Sequence, residues 1–151
     1  MPAASEPQTM DRRRVLSLAR NGGIAAAVLG GTGLFGVRSV MATVAEHDLT
    51  RVGQGKPAIV QVHDPQCPTC TALQRETRRA LDSFEECDLV YLVANIRTVD
   101  GSSFANTHRA PHVTLLLFDA HGTLRQSLNG MRYRQELREV FRAHHAAYGS
   151  V

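Results

Sequence analysis

The sequence predicts an α/β domain built on a mixed four-stranded sheet with helices on both faces, and three observations lead there. Short apolar, β-branched runs alternate with stretches of helical period, the pattern of strands and helices taking turns along a chain. The last two runs, residues 113–118 and 123–128, are separated by Asp119-Ala120-His121-Gly122, a turn sequence that folds two strands back as a hairpin. A chain of 151 residues that is 43% hydrophobic has room and apolar surface for one ordinary domain.

The first strand is Pro57-Ala58-Ile59-Val60-Gln61-Val62, bounded by proline on one side and Asp64-Pro65 on the other. A helix begins near Pro68, where proline is accepted in the first turn. Leu73, Thr77, Ala80, Leu81 and Phe84 then recur at spacings of three and four, while Arg75, Glu76, Arg78 and Arg79 take the opposite face. Residues 88–96 read as a second buried strand, and residues 100–109 as a short helix offered caps by Asp100, Ser102 and Ser103. After the hairpin, Tyr133, Leu137, Val140, Phe141 and Tyr148 line one side of a closing helix. His144 and His145 read as helix-end residues favoured by the dipole. The order β-α-β-α-β-β-α implies both parallel and antiparallel neighbours in one sheet.

Residues 1–42 follow a different logic. Arginines come first, then a glycine- and alanine-rich apolar stretch, then a small-residue end, which is the order of an export signal. Asp11-Arg12-Arg13-Arg14-Val15-Leu16-Ser17 resembles the bacterial twin-arginine signal. The uncharged run, residues 22–37, is shorter than the ~20 residues of a spanning helix, so cleavage after Ala42 is expected, with a retained N-terminal membrane anchor as the alternative. Either outcome places the folded part in the periplasm or on the periplasmic side of the inner membrane. Residues 43–56 are polar and read as a linker or lead-in, and residues 57–151 as the domain.

Charge supports this division. The formal net charge is +3, and residues 43–151 are balanced at twelve basic and twelve acidic side chains, so the excess belongs to residues 1–42. A folded part without a basic excess does not point to nucleic acid as a partner.

The chemistry centres on Cys67-Pro68-Thr69-Cys70. A Cys-x-x-Cys can ligate a metal, cycle between dithiol and disulfide, or act as an inert staple. Set after a buried strand and at a helix start, Cys67 faces the free N–H groups and the positive end of the helix dipole, which stabilise a thiolate. Cys67 is therefore the expected nucleophile and Cys70 the resolving thiol. The alternative is a copper or zinc site using Cys67, Cys70, His63 and His112. The third cysteine, Cys87, reads as a half-buried free thiol. His63 and Asp64 are candidates for tuning Cys67 or moving a proton, and equally for turn chemistry before Pro65.

From Lys56 to His145 the chain resembles the thioredoxin superfamily, on "KPAIVQVHDPQCPTC", the "VTLLLFDAHGTL" hairpin and the helix after Gly130. The tetrad itself is similar to that of the thioredoxin-like reductases of cytochrome c maturation. The resemblance implies a thioredoxin-like fold and a thiol–disulfide oxidoreductase acting on protein disulfides outside the cytoplasm. Reduction is favoured over oxidation, a redox partner protein is implied, and no cofactor is needed beyond the redox-active Cys67–Cys70 pair. It also implies a substrate groove of Pro68, Thr69, Pro111, His112 and Val113. Three departures from that pattern stand out: Gln61 occupies the place of a buried acid, Gln66 replaces an aromatic residue beside the first cysteine, and tryptophan is absent. The cis-proline that faces the pair in such folds falls on Val113 by ungapped reading, or on Pro111 if the loop holds two extra residues.

Overall fold

In the computed structural model, residues 45–84 and 89–149 are described. The signal read in residues 1–42 and Cys87 lie outside them. The described residues belong to one unit, Thr43–Val151.

Strand β1, Ala58–His63, is buried at every position. This is why its sequence is a near-continuous apolar run: a central strand covered on both faces has no solvent side to mark with polar residues. It pairs in parallel with β2, Val90–Asn95, and antiparallel with β3, Thr114–Phe118, which in turn pairs antiparallel with β4, Leu124–Asn129. The order is β2-β1-β3-β4, the mixed four-stranded sheet expected from the sequence. The hairpin closes on Asp119, whose Oδ1 accepts the N–H groups of His121 and Thr123 at 2.9 Å, while Gly122 takes φ 81°. A register shift between Leu117 and Phe118 is left where the turn enters β4.

Helices α1, Pro68–Leu81, and α3, Arg134–Tyr148, pack together on one face of the sheet. Ile59, Leu73, Leu115, Leu117, Leu137 and Phe141 form that half of the core. On the other face, α2, Val99–Thr107, covers Val60, Val62, Leu92, Leu116 and Phe118. Leu49 and Val52, from a 3-10 turn at Leu49–Arg51, pack against the same cluster, so the end of the lead-in lies on the domain surface. Among the described residues no helix is long and apolar enough to cross a membrane.

Three sequence readings need correction. The cap of α2 is Thr98, whose side chain accepts the Gly101 N–H at 3.1 Å, ahead of the Asp100, Ser102 and Ser103 expected. Its start is fixed by contact: a Cβ on Gly101 would fall on the Asn95 carbonyl, so the helix turns against the end of β2 only with glycine there. Tyr133 does not line the core; it precedes α3 as its N-cap and is 68% exposed. His144 is buried rather than solvated at a helix end, with Nε2 2.9 Å from the Phe118 carbonyl oxygen. A hydrogen bond into the sheet is available there, and it outweighs the exposed dipole position.

Burial lowers the pKa of His144, and likewise of His63 and His108. A folded pKa below the unfolded value of about 6.5 makes protonation favour the unfolded chain. Stability from these groups is complete above that value and lost as pH falls through it. Thermal midpoints are expected to drop between pH 7 and pH 5, and His144→Gln, which keeps a donor for Phe118 and cannot titrate, should flatten that slope. An unchanged slope in the variant would remove His144 from the cause.

Candidate functional site

The site grows from the end of β1. Asp64 starts the turn after His63: its Oδ1 accepts the Gln66 N–H at 3.0 Å and its carbonyl accepts the Cys67 N–H at 3.0 Å. Cys67 is thereby held as the N-cap of α1, with Pro68 in the first helical position. The cap is made by sulfur, since Cys67 Sγ accepts the Cys70 N–H at 3.3 Å. Cys67 is partly exposed, Cys70 is fully buried, and both are free thiols.

The two sulfurs are pushed in opposite directions. The Cys70 N–H and thiol and the Thr69 N–H lower the Cys67 pKa against the weaker opposing effects of burial and the Asp64 charge. Burial pushes Cys70 up, although the Asp64 and Val113 N–H groups favour its thiolate. Asp64 itself is tied down: Arg97 donates to both its oxygens at 3.1 Å and to Gln66 Oε1 at 2.9 Å. That clamp, led by the Arg97 hydrogen bond, holds the Asp64 carboxyl below its ordinary range. The parallel register His63↔Asn95 brings the loops after β1 and β2 side by side, which is how residues so far apart in sequence meet.

Behind Cys70 lies Gln61, fully buried among apolar residues. Its amide nitrogen donates to the Cys70 carbonyl at 2.9 Å, and its Oε1 accepts the Tyr91 hydroxyl at 2.8 Å. The same nitrogen is 3.4 Å from His63 Nδ1, an arrangement that suits a neutral imidazole with its proton on Nε2. Burial, the dominant influence on His63, favours that neutral form. Burial also raises the Tyr91 pKa, so its hydroxyl stays a donor.

Val113 faces the pair. Its N–H bonds Val62 O at 3.2 Å, its carbonyl accepts Gly130 N–H at 2.8 Å, and its φ is 63°. A β-branched residue in the left-handed region is strained, and the two backbone bonds hold it there. No peptide among the described residues is cis; Pro111 lies in an exposed loop, and the Val113 backbone lies near Cys70. His112 is exposed on that loop, within electrostatic reach of Asp64. Pro68 and Thr69 are exposed and line a groove beside Cys67. Among the described residues no group of three or more His, Cys, Asp or Glu side chains is gathered to hold a metal ion. Sequence reading passed over Tyr91 and Arg97; a tyrosine within the apolar run of a central strand was the one available sign of a buried hydroxyl partner.

No protein-family model and no curated protein sequence matches the chain. Solved structures do. A thioredoxin-like protein from Clostridium perfringens superposes with TM-score 0.58 at 18% identity, covering 68% of this chain and 82% of its own. Trxlp from Edwardsiella tarda gives 0.51 at 24% identity over 60% and 87%. Thioredoxin O2 from Arabidopsis thaliana in its oxidised state gives 0.51 at 15% identity over 71% and 86%. The chain has a thioredoxin-like fold.

Two outcomes follow from this geometry. Alkylation of Cys67 by iodoacetamide is expected to reach half its maximal rate at lower pH than alkylation of Cys70, because the thiolate is the reacting form. Equal pH profiles would contradict the assigned asymmetry. Gln61→Leu leaves the Tyr91 hydroxyl without its Gln61 partner and is expected to destabilise by about 1–3 kcal/mol. Gln61→Glu places an ionised oxygen against the Cys70 carbonyl, which raises the folded pKa of the new carboxyl. Its stability is therefore full below the unfolded value of about 4.3 and lost as pH rises through the folded one. Urea midpoints of the three proteins at pH 5 and pH 8 test both statements.

Proposed function

We propose that this domain exchanges disulfides with protein substrates outside the cytoplasm, with Cys67 as nucleophile and Cys70 as resolving thiol. The observation that carries the reading is the cap: a partly exposed sulfur accepting a helix N–H, one turn above a buried second thiol. The Cys67 thiolate attacks one sulfur of a substrate disulfide, forming a Cys67–substrate bond as the other substrate sulfur leaves as thiolate. Cys70 then loses its proton and attacks Cys67, closing the Cys67–Cys70 disulfide and expelling the second substrate thiolate. Two electrons pass from the pair to the substrate, and a redox partner protein must return them. Run in reverse, the steps oxidise.

The neutral Gln61 amide, with its oxygen occupied by Tyr91, accepts no proton from Cys70. His63 turns its one basic nitrogen, Nδ1, to the Gln61 amide and is not placed to take that proton either, so the proton passes to water or to a departing substrate thiolate. The likeness of the tetrad to those of thioredoxin-like reductases supports reduction, and the arginine-led signal at residues 11–17 supports the location. No cofactor is required, because the sulfurs are the redox centre.

A Cys70→Ser variant is expected to accumulate mixed disulfides through Cys67 that dithiothreitol releases, and Cys67→Ser to accumulate none. Glutathione titration of the pair, with and without Cu(I) or Zn, fixes the direction. A couple near −270 mV is the reductase outcome and one near −120 mV an oxidant. Tight metal binding without a reversible couple would replace the proposal with a metal-delivery role.

A further inference from the structure

The surroundings of Cys67 are lopsided. On one side, Arg97 bridges Asp64 and Gln66. On the other, a groove of about 640 Å³ opens beside Pro68 and Thr69 and runs between the outer face of α1 and the loop before α3. Its walls carry Arg75 and Arg79 from α1, and Met131 and Tyr133 from the loop. A further hollow of about 310 Å³ continues it past Arg79 and Tyr133 to Arg134.

The charges in this groove do not balance. Glu76 is the one acid lining it, and it is engaged: Arg79 donates to Oε1 at 3.0 Å and the Arg134 N–H to Oε2 at 2.9 Å. These bonds, the Arg134 N–H foremost, hold its carboxyl below the ordinary value, so it remains an anion. Against it stand three guanidinium groups. Those of Arg75 and Arg134 make no hydrogen bond or salt bridge among the described residues, although the Arg134 charge also acts on Glu76. Tyr133 stands between them, 68% exposed, one of three large hydrophobic side chains so placed among the described residues. Unpaired arginines flanking an exposed aromatic ring are groups that recognise carboxylates on a polypeptide, and arginine and tyrosine are the residue types enriched in such contacts.

We infer that this groove docks an acidic, extended segment of the substrate protein, with its carboxylates on Arg75 and Arg134 and its backbone across Tyr133. The inference rests on the disulfide-exchange reading and adds the substrate class. The distance sets the spacing. Pro68 to Arg75 is seven residues of helix, about 10 Å at 1.5 Å per residue. An extended chain covers that length in about three residues. The acidic residues therefore lie about three positions from the substrate cysteine that meets Cys67.

The test uses the full reduced chain and three synthetic peptides, each with one internal disulfide followed three and four positions later by Asp-Glu, Ser-Ser or Lys-Lys. The second-order rate constant is expected to be about tenfold larger for the acidic than for the lysine peptide at low salt. The ratio should collapse in 1 M NaCl, where screening acts within about 3 Å. In Arg75→Gln/Arg134→Gln the ratio should fall toward one, a comparison within one protein that cancels any general loss of activity. A ratio near one in the unaltered chain, or one that survives the double substitution, overturns the docking site. Two controls separate this inference from the reading beneath it. Neutral 2-hydroxyethyl disulfide reports exchange chemistry alone. A fluorescent acidic peptide with serine in place of cysteine reports docking alone, by anisotropy. Binding of that peptide, lost in the double variant, supports the groove even if no disulfide is exchanged; absence of binding preference over the lysine peptide counts against it.

Discussion

The buried amide of Gln61 joins the three elements on which the site depends. Through its nitrogen it holds the first turn of α1 by the Cys70 carbonyl, and through its oxygen it holds β2 by the Tyr91 hydroxyl, while its own backbone is the middle of β1. Burying an amide without partners is unfavourable by a few kcal/mol, so the strand, the neighbouring strand and the helix must keep one relative position for both bonds to form. The depth of Cys70, and hence the difference between the two sulfurs, follows from that position. A carboxyl in the same place would bring charge to the base of the pair. The amide brings geometry alone.

Val113 adds a second constraint from the opposite side. Its backbone is bound to Val62 on β1 and Gly130 after β4, so its positive φ is imposed by strands that are themselves hydrogen-bonded into the sheet. The backbone of the same residue also favours the Cys70 thiolate, against the larger effect of burial. Strain held beside one of the paired cysteines is a pattern found at functional sites.

How much of this was legible depended on range. The strands and helices could be read because burial writes its period into consecutive residues: β1 is apolar throughout, and Leu73, Ala80, Leu137 and Phe141 repeat at helical spacing. The cysteine pair at a helix start was legible for the same reason. What failed were contacts between residues distant in sequence. Arg97 and Asp64 meet because two parallel strands end in register, and nothing local in either loop announces it. Tyr133 kept the helical spacing of the core residues that follow it, yet stands before the helix, where spacing no longer determines facing. His144 looked like a polar helix end because its acceptor, Phe118, lies on another element.

In the proposed exchange, these contacts also bear on the direction from which a substrate would reach Cys67. Asp64, Arg97 and Gln66 bond to one another beside the pair, and Gln61 lies on its buried side. The groove beside Pro68 is the approach that offers unpaired guanidinium groups and an exposed ring. Thiolate attack needs the substrate sulfur in line with the bond it will break, and a segment anchored about three residues away restricts that sulfur far more than collision does. The sulfur chemistry belongs to two cysteines and a helix start, and many sequences can supply it. In the proposed exchange, selection among disulfides falls to the arginines and the tyrosine of the groove, which contribute nothing to the sulfur chemistry.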